Sequence, residues 1–318
     1  MRNWRSGKAQ WPYDIRNAIK VNDLAVEHIP VLAKTLAEQI NLPPDGVMVD
    51  ATIGQGGHSF LFGQTLGPEA VIVGLDVDES AIRRAQFGLK TLACRVILLV
   101  ANFSQIGEQL RQQGIEKVDF ILADLGVCSA QLADVQMGLS FRTNMPLDMR
   151  IDKRLKTTAA DIVNKTDVRA LADLIYEFGQ DRASRRIARF IVQNRPITMT
   201  GELAAVVSRA LARRGRRRRP RIHPATRTFQ ALRIAVNNEL ENLAELLASA
   251  PQLLKRNGRI AVISFHSLED RLVKNNFKQN QSEGAYRIIT TRPIVPSPEE
   301  IAENRRARSA KLRIAQKV

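Results

Sequence analysis

The sequence of 318 residues predicts an α/β protein whose parallel sheet is interrupted by a helical segment, and three observations carry that reading. Short β-branched runs alternate with helical stretches over the first part of the chain. The alternation stops near Asp134 and resumes only at Arg259. The positive charge is concentrated in the interval between.

Taken in order, Val47–Ala51, Val71–Asp76, Val96–Val100 and Val118–Ala123 read as strands buried on both faces, each closed by a polar or glycine turn. Glu79–Lys90 and Gln105–Gln113 fit the connecting helices, and strands alternating with helices imply βαβ units. Between Asp134 and Pro224 only helical patterns occur: Val168, Leu171, Leu174, Ile175 and Phe178 share a face, as do Ile187, Phe190 and Ile191. Phe229, Leu232, Val236, Leu240, Leu243 and Leu247 then step by three or four, which predicts one long helix. Asn257-Gly258 reads as its stop, and Arg259–Phe265 as a fifth buried strand. Tyr286–Thr290 and Ala310–Ile314 suit a closing antiparallel pair. The expected organisation is an extension over residues 1–25, a discontinuous domain over 26–133 and 225–318, and a helical insert over 134–224.

Composition narrows the class. The chain carries 48 Lys+Arg against 32 Asp+Glu, a formal charge of +16. Fifteen Arg and a single acid, Glu202, fall between Arg182 and Arg233, leaving the remainder near neutral. A basic segment on a neutral body points to a polyanionic partner, because phosphate contacts dominate nucleic-acid affinity. Arg182, Arg185, Arg186 and Arg189 share one helical face opposite the apolar side. Arg213–Arg221, with seven Arg in nine residues and Arg216, Arg217, Arg218 and Arg219 at its centre, resembles a basic arm suited to phosphates. The first 30 residues hold no signal-peptide core, no apolar run reaches the roughly 18 residues of a membrane helix, and the two cysteines make neither a disulfide framework nor a zinc site. A cytoplasmic protein is expected.

The chemistry gathers at the strand ends. The first strand runs into Asp50-Ala-Thr-Ile-Gly54-Gln-Gly56-Gly57-His58, a turn that lets backbone approach a ligand. Asp76 ends the second strand 19 residues after Gly57 and suits the two hydroxyls of a ribose. A dinucleotide fingerprint would need glycine where Ser59 stands, so the turn favours S-adenosylmethionine over NAD. Phe103 and Asp124 follow the third and fourth strands at the edge where open α/β sheets bind ligands.

Several blocks then resemble one family. Glu27–Leu32, Asp50–Ser59, Asp124–Leu132, Phe141-Arg142 with Pro146–Arg150, His223–Ala231, Ser264–Arg271 and Ala302–Ser309 are similar, in order, to the RsmH/MraW family of ribosomal RNA cytosine methyltransferases. The resemblance implies a class I (Rossmann-like) S-adenosylmethionine-dependent methyltransferase sheet with an inserted all-helical substrate domain. It implies methyl transfer to the exocyclic amine (N4) of a decoding-centre cytidine in 16S rRNA of the small ribosomal subunit. It also assigns cofactor binding to Gly56, Gly57, His58, Asp76, Phe103, Asp124 and Gln131. Departures are Ala130 in place of a usual Pro, and Asn144-Met145 in place of a usual Asp-Gly.

Two roles remain open for Asp124: binding the cofactor, or orienting the amine as a catalytic acceptor. His266, with Ser264 and Ser267, either lines the base pocket or ties a loop to backbone. Two other activities stay in view. One is carbon-5 methylation with Cys128 as nucleophile, which lacks an accompanying Pro-Cys pair. The other is an rRNA-binding assembly factor without turnover.

Overall fold

The computed structural model describes residues 30–128, 131–132, 134–212 and 223–318. The described residues divide into two compact units: one runs up to Gly126 and resumes at Asn242, and the other is Val127–Glu241.

The first unit opens with α1 (Ala33–Gln39), β1 (Val47–Asp50), α2 (Gly57–Gly63), β2 (Val71–Asp76), α3 (Glu79–Leu89), β3 (Arg95–Val100), α4 (Ile106–Gln112) and β4 (Val118–Asp124). The four strands pair in parallel, with Val49 of β1 level with Val73 of β2 and Ile121 of β4. Their side chains are apolar on both faces because helices cover both. On one face Val49, Val73, Ile121 and Val262 join Ile106, Leu110 and Leu246; on the other Met48, Phe120 and Ala261 join Leu36 and Phe62. Asp78 caps α3 by accepting from the Ser80 amide at 2.9 Å, an interaction worth about 1 kcal/mol.

The second unit holds α5 (Ala159–Lys165), α6 (Val168–Gly179), α7 (Ser184–Gln193), α8 (Thr200–Leu211) and α9 (Thr226–Asn237), and no strand occurs among its described residues. Its own core is built from Leu171, Ile175, Ile187, Ile191, Leu203, Val207, Phe229 and Leu232. Because Phe229 and Leu232 pack here, α9 belongs to the helical unit, which therefore extends to Glu241, past the expected boundary at residue 224.

The long helix expected from Phe229 to Leu247 is two helices. Asn238 takes a left-handed conformation (φ 48°, ψ 42°), ending α9 before α10 (Glu239–Leu253). Periodicity continues through the break, so spacing alone did not reveal it. Asn257-Gly258 is not a helix stop either: it lies inside β5 (Leu254–Ser264), with Asn257 at φ 67°. Val118 and Phe120 pair with Leu254 and Arg259, so five residues of β5 span two of β4, a bulge that the left-handed residue makes possible.

After β5 come α11 (Ser267–Ser282), β6 (Tyr286–Ile288), α12 (Pro298–Glu303) and β7 (Lys311–Lys317). The sheet order is β3-β2-β1-β4-β5-β7-β6, with β7 antiparallel to both neighbours, and the closing pair is the expected one. This is the class I methyltransferase arrangement, a doubly wound sheet whose order reverses at β1 and β4. Among the described residues no helix is long and apolar enough to cross a membrane.

Candidate functional site

The order reversal brings the carboxyl ends of β1, β2 and β4 together, where a crevice suits a ligand. Gly54 (φ 52°) and Gly56 (φ 81°) turn the chain between β1 and α2 through left-handed conformations that a side chain would resist. Gly57 is small for a different reason: a Cβ there would sit 2.7 Å from Cγ of Pro30.

Buried carboxylates hold this turn. Asp50, 1% exposed, accepts from the Ser59 hydroxyl at 2.8 Å and from the Thr52 amide at 3.3 Å. Burial pushes its carboxyl above the usual range, against the opposing pull of His58 and the Ser59 hydroxyl. Asp76 accepts from the Gly54 amide at 3.0 Å and the Asp78 amide at 2.9 Å, one on each oxygen. Burial raises its carboxyl to about 6, while those two amides favour the ionised form. Asp76 therefore ties the end of β2 to the glycine turn, and its second lone pairs remain as acceptors.

At β4, the Asp124 amide donates to the Thr52 hydroxyl at 2.7 Å, fixing this strand end against the β1 turn. Asp124 Oδ2 lies 3.6 Å from His58 Nε2, with the His58 side chain only 6% exposed. Asp124 Oδ1 and both ring nitrogens of His58 are buried and have no hydrogen-bond partner among the described residues. Buried polar atoms are nearly always paired, so three orphans at one strand edge mark a place for polar groups from a ligand. Left-handed glycines, an acceptor carboxylate and orphaned buried atoms suit a nucleoside-bearing ligand.

Gly56, Gly57, His58, Asp76 and Asp124 thus meet at one edge. Phe103 follows β3 on the same edge, in a short 3-10 turn, and is partly buried against the sheet core, so packing accounts for much of its ring. Gln131 lies in the helical unit, 5% exposed, and its Oε1 accepts from the Cys128 amide at 3.0 Å. His266 caps α11: its Nδ1 accepts from the Glu269 amide at 3.3 Å, and its Nε2 lies 3.1 Å from Glu269 Oε1. Glu269 Oε2 in turn accepts from the Phe265 and His266 amides, so this geometry supports the loop-tying role. Ser264 is 2% exposed and donates to the Lys311 carbonyl.

Arg182, Arg185, Arg186 and Arg189 are all exposed along α7 and its preceding turn, opposite buried Ile187, Ala188 and Ile191. Arg216, Arg217, Arg218 and Arg219 lie outside the described residues. Thr52 and Ser59, which position Asp124 and Asp50, escaped sequence reasoning because the first role depends on the β1–β4 register and the second on the path of the β1–α2 turn. A second device was also missed. The Pro146–Arg150 block is held by Asn237, whose side chain donates to the Met149 carbonyl and accepts from the Ile151 amide, both at 2.8 Å. Met149 is left-handed there (φ 64°), a conformation costing about 1–2 kcal/mol that these bonds offset.

Comparison with known proteins finds relatives along most of the chain. A Ribosomal RNA small subunit methyltransferase H from Cyanothece sp. (strain PCC 7425) is 48% identical over 291 residues, covering 92% of this chain and 95% of that protein. Proteins of the same description from Clostridioides difficile (strain 630) and Acidobacterium capsulatum are 42% and 45% identical, covering 92% and 91% of this chain and 99% and 98% of theirs. The match to the MraW methylase family extends over residues 25–318, including the glycine turn, both strand-end carboxylates and the helical unit, and on that evidence the chain belongs to the MraW methylase family.

Proposed function

We propose that this chain is the methyltransferase that modifies small-subunit 16S rRNA in the cytoplasm, using S-adenosylmethionine to methylate the exocyclic amine of a decoding-centre cytidine. The single observation that carries the reading is the β1–β2–β4 edge, where orphaned buried atoms of His58 and Asp124 face a glycine turn held by Asp76. The rRNA substrate rests on the relatives, which are described as small-subunit rRNA methyltransferases. The cytidine amine rests on the family resemblance of the motifs.

S-adenosylmethionine, when bound, supplies an electrophilic methyl group that needs no activation. The residues then have three tasks. Gly56 and Gly57 admit the ligand to the backbone, Asp76 accepts from its ribose hydroxyls, and His58 and Phe103 line the same edge. Gln131 completes the set by holding the loop that follows Asp124. The cytosine amine is a poor nucleophile because its lone pair is delocalised into the ring, so alignment is the main contribution. In this reading Asp124 Oδ1 accepts from the amine and takes the proton that the nitrogen sheds as the methyl passes to it from the sulfonium sulfur. His58 Nε2, 3.6 Å from Oδ2, steadies that carboxylate. His266 serves as a positioning residue through Glu269 and α11.

The exposed arginines of α7, with Arg216–Arg219, supply the phosphate grip. Replacing Arg216–Arg219 by Ser is expected to weaken RNA binding and flatten its salt dependence without altering cofactor affinity. The deciding experiment incubates the protein with S-adenosylmethionine and unmethylated small subunits, digests the rRNA and identifies methylated nucleosides by mass spectrometry. Methyl on the cytidine amine supports the reading. Methyl on carbon 5 would move the chemistry to Cys128, and no methyl on rRNA would leave a binding factor.

A further inference from the structure

Three antiparallel strands place three long polar side chains on one rung of the sheet. Arg259 of β5 is level with Gln316 of β7, and Gln316 is level with Arg287 of β6. Directly opposed residues point to the same face, so the two guanidiniums converge from either side of the glutamine. Arg259 Nε donates to Gln316 Oε1 at 3.3 Å, and Arg287 Nη2 donates to the same oxygen at 3.0 Å. The Gln316 amide group is turned away, donating to Asn257 Oδ1 at 3.0 Å, so the oxygen is held toward the arginines.

An acid between two cations on a rung would be favoured by cross-strand charge pairing. Here the central group is neutral, and neither Arg259 nor Arg287 forms an ion pair among the described residues. Asp119, next to the Phe120 that pairs with Arg259, is already engaged by Lys255 and by the Val47 amide, both at 2.8 Å. Arg259 also donates to the Gln39 carbonyl and is half-buried, which fixes its head group. The β5 bulge brings a further exposed cation, Arg256, just before left-handed Asn257. The bulge thus adds a cation to the same end of β5 as Arg259.

We propose that Arg259 and Arg287, both held on the Gln316 oxygen, bind a phosphate oxyanion, and that in the working complex this is a backbone phosphate of the rRNA substrate. The site lies at the opposite end of β4 from Asp124. Arg259 pairs with Phe120, four residues from Asp124, or about 13 Å along the strand. It can therefore anchor RNA remote from the reacting base, and it carries no base information. Phosphate from solution offers the same chemistry. Assignment to RNA rests on the proposed rRNA substrate.

The test measures binding of the full chain to unmethylated small-subunit rRNA across a range of KCl concentrations. It uses wild type, Arg287→Gln and the double variant Arg259→Gln/Arg287→Gln. Each lost phosphate contact is expected to reduce the slope of log affinity against log salt by about 1, and S-adenosylmethionine binding is expected to stay within about threefold of wild type. Arg287 is exposed, so its single variant reads the site even if the double variant folds poorly. In parallel, thermal unfolding with added inorganic phosphate should stabilise wild type and not Arg287→Gln. Stabilisation by phosphate with an unchanged RNA slope would overturn the RNA source and leave a free-phosphate site. Unchanged slope and no phosphate response would overturn the site itself. Loss of rRNA binding by wild type would instead refute the proposed substrate, with the phosphate arm still deciding the site.

Discussion

Asp76→Asn isolates what the carboxylate at the end of β2 contributes. Each carboxylate oxygen accepts one backbone amide, from Gly54 at 3.0 Å and Asp78 at 2.9 Å. The amide side chain keeps one acceptor and turns the other position into a donor facing a donor. A hydrogen bond to a charged group contributes about 1.5–3 kcal/mol, so loosening the turn and losing one ribose acceptor should weaken cofactor binding roughly tenfold to a hundredfold. The assay is calorimetric titration with S-adenosylhomocysteine at pH 7.5 and at pH 5, with unfolding followed in parallel. Burial raises Asp76 to about 6, above its ordinary 3.8, so the folded protein holds more protons than the unfolded chain between those values. The stability contributed by the protonated group is present below about 4 and is lost as pH rises through about 6. Ribose hydroxyls favour the ionised acceptor, so wild-type affinity should fall as pH drops from 7.5 to 5. The Asp76→Asn affinity should vary much less over that range. Binding by Asp76→Asn within about threefold of wild type, with no pH dependence in wild type, would refute the reasoning.

The other predictions touch separate parts of the molecule. His58→Asn should lower kcat by at least about tenfold with a smaller change in the S-adenosylmethionine KM, because it removes the group beside Asp124 Oδ2; an unchanged kcat would show that the 3.6 Å approach is incidental. Cys128→Ser should leave turnover nearly intact, and a loss beyond about tenfold would transfer the chemistry to carbon 5. Gly138→Ala should destabilise the helical unit by about 2–4 kcal/mol, read as a lower denaturant midpoint. Gly138 sits at φ 63°, and a Cβ there would lie 2.1 Å from the Pro146 carbonyl oxygen.

The kind of fold, its interruption and the glycines and carboxylates at the strand ends were legible in the residue pattern. Buried parallel strands such as Val71–Asp76 are legible because both faces are covered and the residues are apolar up to the terminal Asp76. Gly54, Gly56 and Asp76 stood out because turn geometry and strand ends demand those residue types. Tertiary structure decided what local pattern does not encode. The apolar spacing from Phe229 to Leu247 runs unbroken through Asn238, yet its first half packs with the helical unit and its second half on the sheet. Nor does spacing show that Thr52 meets Asp124, or that Arg259, Gln316 and Arg287 share a rung. Each of these is a contact between segments distant in the chain or dependent on strand register, and register is fixed by the packing of the whole sheet rather than by any one strand.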